Sequence, residues 1–99
     1  MNCIYSIFDK LSNDCLYVGQ TKRDNPETRW KEHQRDIKNQ KHKIKKLNTS
    51  NDEDIRFEVI CTLETDNSLI LSMAECLYNS LLHPLNRVCY RDLEVTQLL

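Results

Sequence analysis

The sequence is poor in the residues that break regular structure. Among 99 residues there is one glycine, Gly19, and there are two prolines. This scarcity excludes collagen-like repeats and glycine-rich linkers. No apolar run approaches the roughly 20 residues that a membrane span requires. The N-terminus lacks a basic segment followed by an apolar one, so we expect no signal peptide. The length and composition predict a single globular domain over residues 1–99.

Paired cysteines are also missing. The chain has an odd number of cysteines, and no two of them form a CxxC pair: Cys3, Cys15, Cys61, Cys76 and Cys89. A zinc site or a complete disulfide framework is therefore disfavoured. Most of these cysteines stand beside apolar residues, as free thiols in a core do, so we expect a reducing, cytoplasmic setting. The Lys-, Asn- and Ile-rich composition would suit an AT-rich genome, for example a virus or phage acting in a host.

The net charge of −1 hides an uneven distribution of charged residues. The segment from Lys22 to Lys46 holds ten Lys and Arg against four Asp and Glu, whereas the remainder holds four against eleven. A charge run of this kind is more often only the solvated face of a helix, and the alternative is a surface for a polyanion. The charge pattern alone leaves both interpretations open.

Periodicity and turn residues predict an α+β domain with a small antiparallel three-stranded β-sheet flanked by helices, in the order β-β-α-(α)-β-α. We expect strands at 3–8, 15–19 and 55–61, a helix at 26–39, a short basic helix at 42–47, and a long helix at 69–82. The last helix is apolar nearly all round. Ile70, Met73, Leu77 and Leu81 lie opposite Glu75, so the pattern predicts a central, well buried helix.

Two pairs of side chains could carry chemistry. Tyr5 and Tyr17 lie on the two strands of the predicted hairpin, although a strand tyrosine usually serves in packing. Arg29 and His33 are four residues apart on one helix face, where the arginine fork suits a phosphate. The alternative for this pair is an ordinary arginine and histidine on the surface.

Two further polar residues, Glu75 and Asn86, are candidates for a functional site. Glu75 is a carboxylate in an apolar helix, and burial would require an ion pair, a proton or a metal ion. A single carboxylate can anchor Mg²⁺, which keeps several waters and takes few protein ligands. Asn86 follows Pro84 beyond the end of the same helix, where the alternative is an ordinary turn residue.

In combination these features resemble a known family. Cys3-Ile4-Tyr5, eleven intervening residues and Tyr17-Val18-Gly19 resemble the signature of the GIY-YIG nucleases, with Cys3 in place of the first glycine and Val18 in place of isoleucine. The segment from Glu27 to His33 is similar to the family's helix motif, with arginine and histidine four apart. A side chain on Gly19 would then block close approach of the strand to the substrate or to a helix.

The resemblance continues along the chain. His42 before a basic stretch is similar to a further histidine of the homing-endonuclease branch of the family. Glu75 resembles the family's metal-binding glutamate, and Asn86 resembles its terminal asparagine. The likeness covers residues 3–88, nearly the whole chain, and it implies the GIY-YIG nuclease fold.

The resemblance implies a metal-dependent DNA endonuclease that hydrolyses a phosphodiester bond. Glu75 would hold Mg²⁺, or Mn²⁺, against the scissile phosphate and the leaving oxygen. Arg29 would neutralise charge growing on the phosphoryl oxygens. Tyr5 would act as general base, with its proton passing to Tyr17 or His33. The catalytic set is thus Tyr5, Tyr17, Arg29, His33, Glu75 and Asn86, the last supporting the site by hydrogen bonds.

We expect the basic segment to contact the DNA backbone, through Lys22, Arg23, Lys31, Arg35, Lys41, His42, Lys43, Lys45 and Lys46. A chain this short has no room for a separate DNA-reading domain, so the stand-alone domain should have weak sequence specificity. One active site cuts one strand, and a homodimer would allow a double-strand break.

Two alternatives remain open. A catalytically idle relative would serve as a nucleic-acid-binding or interaction module, although such a copy should lose Glu75 or Arg29, and this sequence keeps both. A purely structural α+β protein would use the same tyrosines and glutamate as core features. Such a protein would never bind DNA.

Overall fold

A tight hairpin organises the first part of the chain. In the computed structural model, which describes residues 2–42, 44–48 and 51–86, β1 covers Asn2–Asp9 and β2 covers Cys15–Thr21. The Asp9 carboxylate accepts the backbone N–H groups of Leu11 and Ser12 at 2.9 and 3.0 Å. Asn13 adopts a positive φ of 64°, which asparagine tolerates better than most residues. The chain therefore turns between the first two predicted strands, and the predicted hairpin is confirmed.

The third strand, β3 at Ile55–Leu63, pairs antiparallel with β1 on the side opposite β2. The sheet order is β2-β1-β3, so β1 is central and β2 is an edge strand. The register of β3 on β1 shifts between Ile4 and Tyr5. Such a bulge adds local twist and re-aims the side chains beside it, here next to Tyr5. The predicted α+β architecture with a three-stranded antiparallel sheet is confirmed.

Helix α1, Pro26–Lys38, begins as the sequence predicts. The Asn25 side chain accepts the Glu27 N–H at 3.1 Å, and Pro26 occupies the first turn, where its missing N–H costs nothing. The short helix α2, Lys45–Asn48, follows, and a 3₁₀ turn at Asp52–Asp54 leads into β3. The described part of the chain contains no helix long and apolar enough to cross a membrane.

The main hydrophobic core lies between the sheet and the first two helices. Its buried side chains come from both hairpin strands, α1, α2 and β3: Ile7, Leu16, Ile37, Leu47 and Ile55. Trp30 stacks on Phe57 at the edge of this cluster, with ring centroids 5.4 Å apart. Burial of such side chains contributes about 1.5–3 kcal/mol each before the entropy of ordering is subtracted.

Helix α3, Ser68–Leu82, packs against β1 and β2. Asn67 caps its start, and His83 ends it in the left-handed conformation before Pro84. The prediction that this helix is well buried was wrong for one side. The stripe opposite Glu75 is exposed, with 45%, 44%, 58% and 62% of the surface accessible at Ile70, Met73, Leu77 and Leu81. An all-round apolar pattern does not reveal which side another element covers.

Gly19 pairs with Tyr5 across the hairpin, and its missing side chain leaves space for two aromatic rings. A Cβ atom on Gly19 would lie 2.6 Å from the Tyr5 hydroxyl and 2.7 Å from the Tyr17 ring. The nearest atoms to this glycine thus belong to the tyrosines and not to a helix, whereas the approach of a substrate stays a prediction.

We therefore expect Gly19→Ala to lower the free energy of unfolding by about 1–3 kcal/mol, because the added methyl overpacks a filled site. Urea unfolding followed by circular dichroism measures this difference. Thr62→Ala, an exposed position in β3, is the control and should leave the midpoint nearly unchanged. An unaltered midpoint for Gly19→Ala would contradict the packing described here.

Candidate active site

Two tyrosines converge on the face of the sheet that carries α1. Side chains alternate along a strand, so Tyr5, Gly19 and the paired residues Ile7 and Tyr17 share this face. The rings of Tyr5 and Tyr17 lie nearly parallel, at 23°, with centroids 6.0 Å apart. Tyr5 is buried, with 1% exposed, whereas Tyr17 is half-buried.

A line of hydrogen bonds leaves the Tyr5 hydroxyl and crosses from the sheet to the helices. The Tyr5 oxygen lies 2.7 Å from Nε2 of His33 on α1, and Nδ1 of His33 lies 2.8 Å from Nε2 of His42. The backbone N–H of Ile44 donates to Nδ1 of His42 at 3.0 Å. Both imidazoles are buried. The two histidines thus belong to one continuous buried network with the tyrosine.

Arg29, which lies one turn before His33 in α1, also interacts with Tyr5. Burial raises the pKa of Tyr5 well above its ordinary value, and the neighbouring Tyr17 raises it further, while the charge and hydrogen bonding of Arg29 oppose both. Burial on its own would lower the pKa of Arg29, but Tyr5, Tyr17 and Glu32 outweigh it and raise that pKa. The guanidinium is therefore a permanent cation beside a neutral phenol.

A cleft of about 770 Å³ opens between the end of β2 and the start of α1. It is lined by polar and charged residues, among them Gln20, Arg23, Thr28, Arg29 and Glu32. Glu32 holds Arg23 through an ion pair of 3.0 Å and approaches Arg29 at 3.8 Å. The Arg29 guanidinium thus contacts Tyr5 on one side and the solvent of the cleft on the other. A binding site for an anionic group requires such an accessible cation.

Glu75 reaches this region from the other face of the sheet. Gln20 follows Gly19 and therefore projects to the α3 face, where its Nε2 donates to Oε2 of Glu75 at 3.0 Å. Glu75 is half-buried on α3. The edge strand β2 lies between Glu75 and the two tyrosines. Gln20 contacts Glu75 and also lines the cleft that contains Arg29, so this one side chain links the two sides of the strand.

The donor set around Glu75 decides which metal would fit. Within residues 2–42, 44–48 and 51–86, no three His, Cys, Asp or Glu side chains gather closely enough to hold an ion by themselves. Zinc, which takes three or four protein ligands, does not fit such a site. A single carboxylate fits Mg²⁺ or Mn²⁺, because Mg²⁺ keeps several waters and shares its shell with substrate phosphates.

Asn86 lies at the outer edge of β2. Its side-chain amide accepts the Val18 N–H at 2.9 Å and donates to the Val18 carbonyl at 2.7 Å. Asn79 of α3 in turn donates to the Asn86 carbonyl at 2.8 Å. Asn86 therefore fixes the strand between Tyr17 and Gly19, and it does so through the backbone and from outside the tyrosine cluster.

Eight of the nine residues predicted for DNA contact divide into three groups. Lys31, Arg35, Lys41, Lys45 and Lys46 are exposed on or beside α1 and α2, and we call this set the basic surface. Lys22 and Arg23 lie at the cleft, where Lys22 donates to the Ser68 hydroxyl at 3.2 Å and Arg23 pairs with Glu32. Lys43 lies outside the described residues.

The prediction that His42 contacts the DNA backbone requires a correction. The structure buries this residue to 7% exposure, and both of its ring nitrogens are engaged, so it belongs to the tyrosine network and not to the basic surface. Its neighbours in sequence are lysines, which made a surface position the natural prediction. The fold of α2 against α1 places it inside.

Sequence reasoning missed two residues of the site. Gln20 had a usable signal, because it follows the signature glycine and must point to the opposite face of the strand. Glu32 stands three residues after Arg29 on the helix, a spacing at which opposite charges meet. Its second partner, Arg23, lies nine residues away on a loop and could not be inferred from helix spacing.

Residues 1–78 match the family model described as the GIY-YIG catalytic domain. The chain belongs to the GIY-YIG family. The matched segment contains Tyr5, Tyr17, Arg29, His33 and Glu75, whereas Asn86 lies beyond it. No curated protein and no solved structure gives a significant match.

GIY-YIG membership assigns the chain to a family of nucleases, which are hydrolases, and implies a nucleic acid as its substrate. It also agrees with the fold, a three-stranded antiparallel sheet flanked by helices.

The raised pKa of Tyr5 has a consequence for stability at alkaline pH. The unfolded chain loses the tyrosine proton near the ordinary tyrosine pKa of 10.0, whereas the folded chain keeps it to higher pH. The folded state then binds more protons than the unfolded state, so the free energy of unfolding falls as pH rises above about 10, by at most about 1.4 kcal/mol per pH unit for this group.

Urea unfolding at a series of alkaline pH values, compared between the native chain and Tyr5→Phe, isolates this contribution. We expect the variant to start less stable but to lose stability less steeply with pH. Equal slopes for the two proteins would show that Tyr5 titrates normally in the folded state.

Proposed function

We propose that this chain is a metal-dependent DNA endonuclease that hydrolyses a phosphodiester bond. The observation that carries the proposal is that the buried Tyr5 contacts both His33 and Arg29, and that Arg29 lines a cleft that Gln20 links to Glu75. A phosphate in this cleft would contact the Arg29 guanidinium, a permanent cation. The Gln20 side chain would link the same cleft to the Glu75 carboxylate.

Arg29 is proposed to bind the scissile phosphate. Its guanidinium presents several N–H donors in a plane, and Glu32 at 3.8 Å restricts the directions that it can take. Negative charge that grows on the phosphoryl oxygens during hydrolysis would be stabilised by this fixed cation, which needs no reorganisation at that moment.

Tyr5 is proposed to receive a proton from the attacking water. Burial keeps the phenol protonated, so Tyr5 cannot act as a free phenolate and must release its own proton as it accepts another. The short bonds of the His33 and His42 network hold the ring in one position, which favours such a concerted transfer.

Glu75 is proposed to hold Mg²⁺ or Mn²⁺, with Gln20 orienting its carboxylate. When bound, the ion would supply charge stabilisation at the phosphate and the leaving oxygen. Asn86 is proposed to support the site by fixing β2 at Val18.

Sequence specificity is proposed to be weak. The basic surface consists of exposed lysines and an arginine, and contacts of such residues with phosphates position a protein on DNA without reading bases. A homodimer that would cut both strands stays a prediction, and sedimentation of the purified chain would measure it.

The first test is the loss of cleavage in two single variants. Glu75→Ala and Arg29→Ala should each lower the nicking rate of supercoiled plasmid in Mg²⁺ by about 100-fold or more, because each removes charge stabilisation at the phosphate. Arg35→Ala is the matched control, since Arg35 is an exposed arginine of the same helix and should keep most of the rate at saturating DNA.

Circular dichroism spectra and unfolding midpoints would establish that the variants remain folded. A native chain that leaves supercoiled, linear, branched and single-stranded DNA intact in both Mg²⁺ and Mn²⁺ would refute the enzyme. Retained DNA binding without cleavage would then favour the idle binding module, and absence of binding would favour a structural role.

The second test concerns the basic surface. Replacement of Lys41 and Lys45 by alanine should weaken DNA binding equally for unrelated sequences and reduce the slope of log affinity against log salt by about 2, because about 0.9 counterions are released per phosphate contact. Fluorescence anisotropy over a salt series measures this slope. Arg56→Gln, which removes a cation from β3, is the control and should leave it unchanged.

A further inference from the structure

The line of hydrogen bonds behind Tyr5 uses every nitrogen of two imidazole rings. His33 binds Tyr5 through Nε2 and His42 through Nδ1, and His42 binds His33 through Nε2 and the Ile44 N–H through Nδ1. The two rings stack at 5.0 Å. Because all four nitrogens are engaged, the protons on them can be placed by elimination.

The backbone amide of Ile44 fixes the first assignment, since an amide N–H can only donate. Nδ1 of His42 is therefore an acceptor and carries no proton. A histidine keeps at least one ring proton, so His42 carries it on Nε2 and donates to Nδ1 of His33.

The same reasoning extends to His33. Its Nδ1 accepts and carries no proton, so its single proton sits on Nε2 and points to the Tyr5 oxygen. A charged His42 would direct an N–H at the Ile44 N–H. A charged His33 would direct one at the His42 N–H. Only the pair of neutral rings protonated on Nε2 satisfies all three bonds.

We propose that the Ile44 amide and His42 are positioning groups that hold His33 as a hydrogen-bond donor to Tyr5, so that the Tyr5 proton leaves through Tyr17. Of the two acceptors that the family resemblance implies, Tyr17 and His33, the proposal selects Tyr17. The proton route rests on the proposed nuclease function, whereas the placement of the histidine protons does not.

Tyr17 has the position that this route requires. Its ring stacks on Tyr5, its hydroxyl interacts with that of Tyr5, and it is half-buried whereas Tyr5 is buried. In the transfer, the proton of the attacking water moves to the Tyr5 oxygen, the former Tyr5 proton moves to the Tyr17 oxygen, and the former Tyr17 proton moves to solvent. The water becomes hydroxide, and both tyrosines end neutral.

The decisive measurement is the protonation of each ring nitrogen, read from ¹H–¹⁵N correlation spectra of chain labelled at histidine. We expect His33 and His42 to show an unprotonated Nδ1 and a protonated Nε2. The exposed His83 serves as the internal reference. A proton on Nδ1 of either buried ring would overturn the inference.

Two variants of equal length test the role of His42. The amide of His42→Gln can donate to Nδ1 of His33, whereas the carboxylate of His42→Glu can only accept. We expect His33 to keep its Nε2 proton in the first variant and to move it to Nδ1 in the second. Cleavage should persist in His42→Gln and fall about 100-fold in His42→Glu, as for a misplaced acid–base group.

The outcomes separate the two proposals. Full cleavage by a folded His42→Glu chain with a reversed His33 proton would refute the Tyr17 route. If His42→Glu does not fold, the spectrum of the native chain still decides the direction of the network. A native chain with the expected protons but without cleavage on any DNA would refute the nuclease, and the proton route with it.

Discussion

The stacking of Tyr5 on Tyr17 over Gly19 is the contact on which the rest of the site depends. The two rings occupy the volume that any side chain at position 19 would need, so the only glycine of the chain stands where its absence of a Cβ is structurally necessary. With Tyr5 held there, its hydroxyl meets Arg29 and His33, which lie one turn apart on α1. The hairpin and the helix are thereby joined by polar groups as well as by the apolar core.

Local rules predicted much of this arrangement. The bounds of the strands and of the first helix, and the alternation of side chains along the strands, are properties of short segments, and the structure follows them closely. The pairing of Arg29 with His33 likewise follows from helix geometry. Local rules could not predict which surfaces of the helices and strands pack against each other. His42 stands among lysines but is buried by the packing of α2 on α1, and the outer stripe of α3 is apolar but exposed.

The placement of charge in the site follows a consistent pattern. Glu32 contacts both Arg29 and Arg23, and Lys22 and Asp24 also line the cleft, so the cleft contains three cations and two anions. Gln20, the group that contacts Glu75 from the sheet, is neutral. A neutral amide orients a carboxylate without cancelling its charge, whereas a lysine at this position would compete with a cation for it. Under the proposed function, the residue at position 20 thus suits an anchor for a divalent ion.

Under the proposed function, the edge strand of the sheet indicates where a substrate would approach. An uncovered edge strand exposes unpaired backbone groups, and proteins commonly cover such edges. Here the segment after α3 covers the first part of β2, since Leu85 donates its N–H to the Leu16 carbonyl at 3.2 Å and Asn86 pairs with both backbone groups of Val18. This cover reaches Val18, and the cleft that contains Arg29 begins at Gln20. Among residues 2–42, 44–48 and 51–86, the same strand is therefore covered at one end and uncovered at the other, and its uncovered end is the place where Gln20 links Glu75 to the side of the sheet that holds the tyrosines.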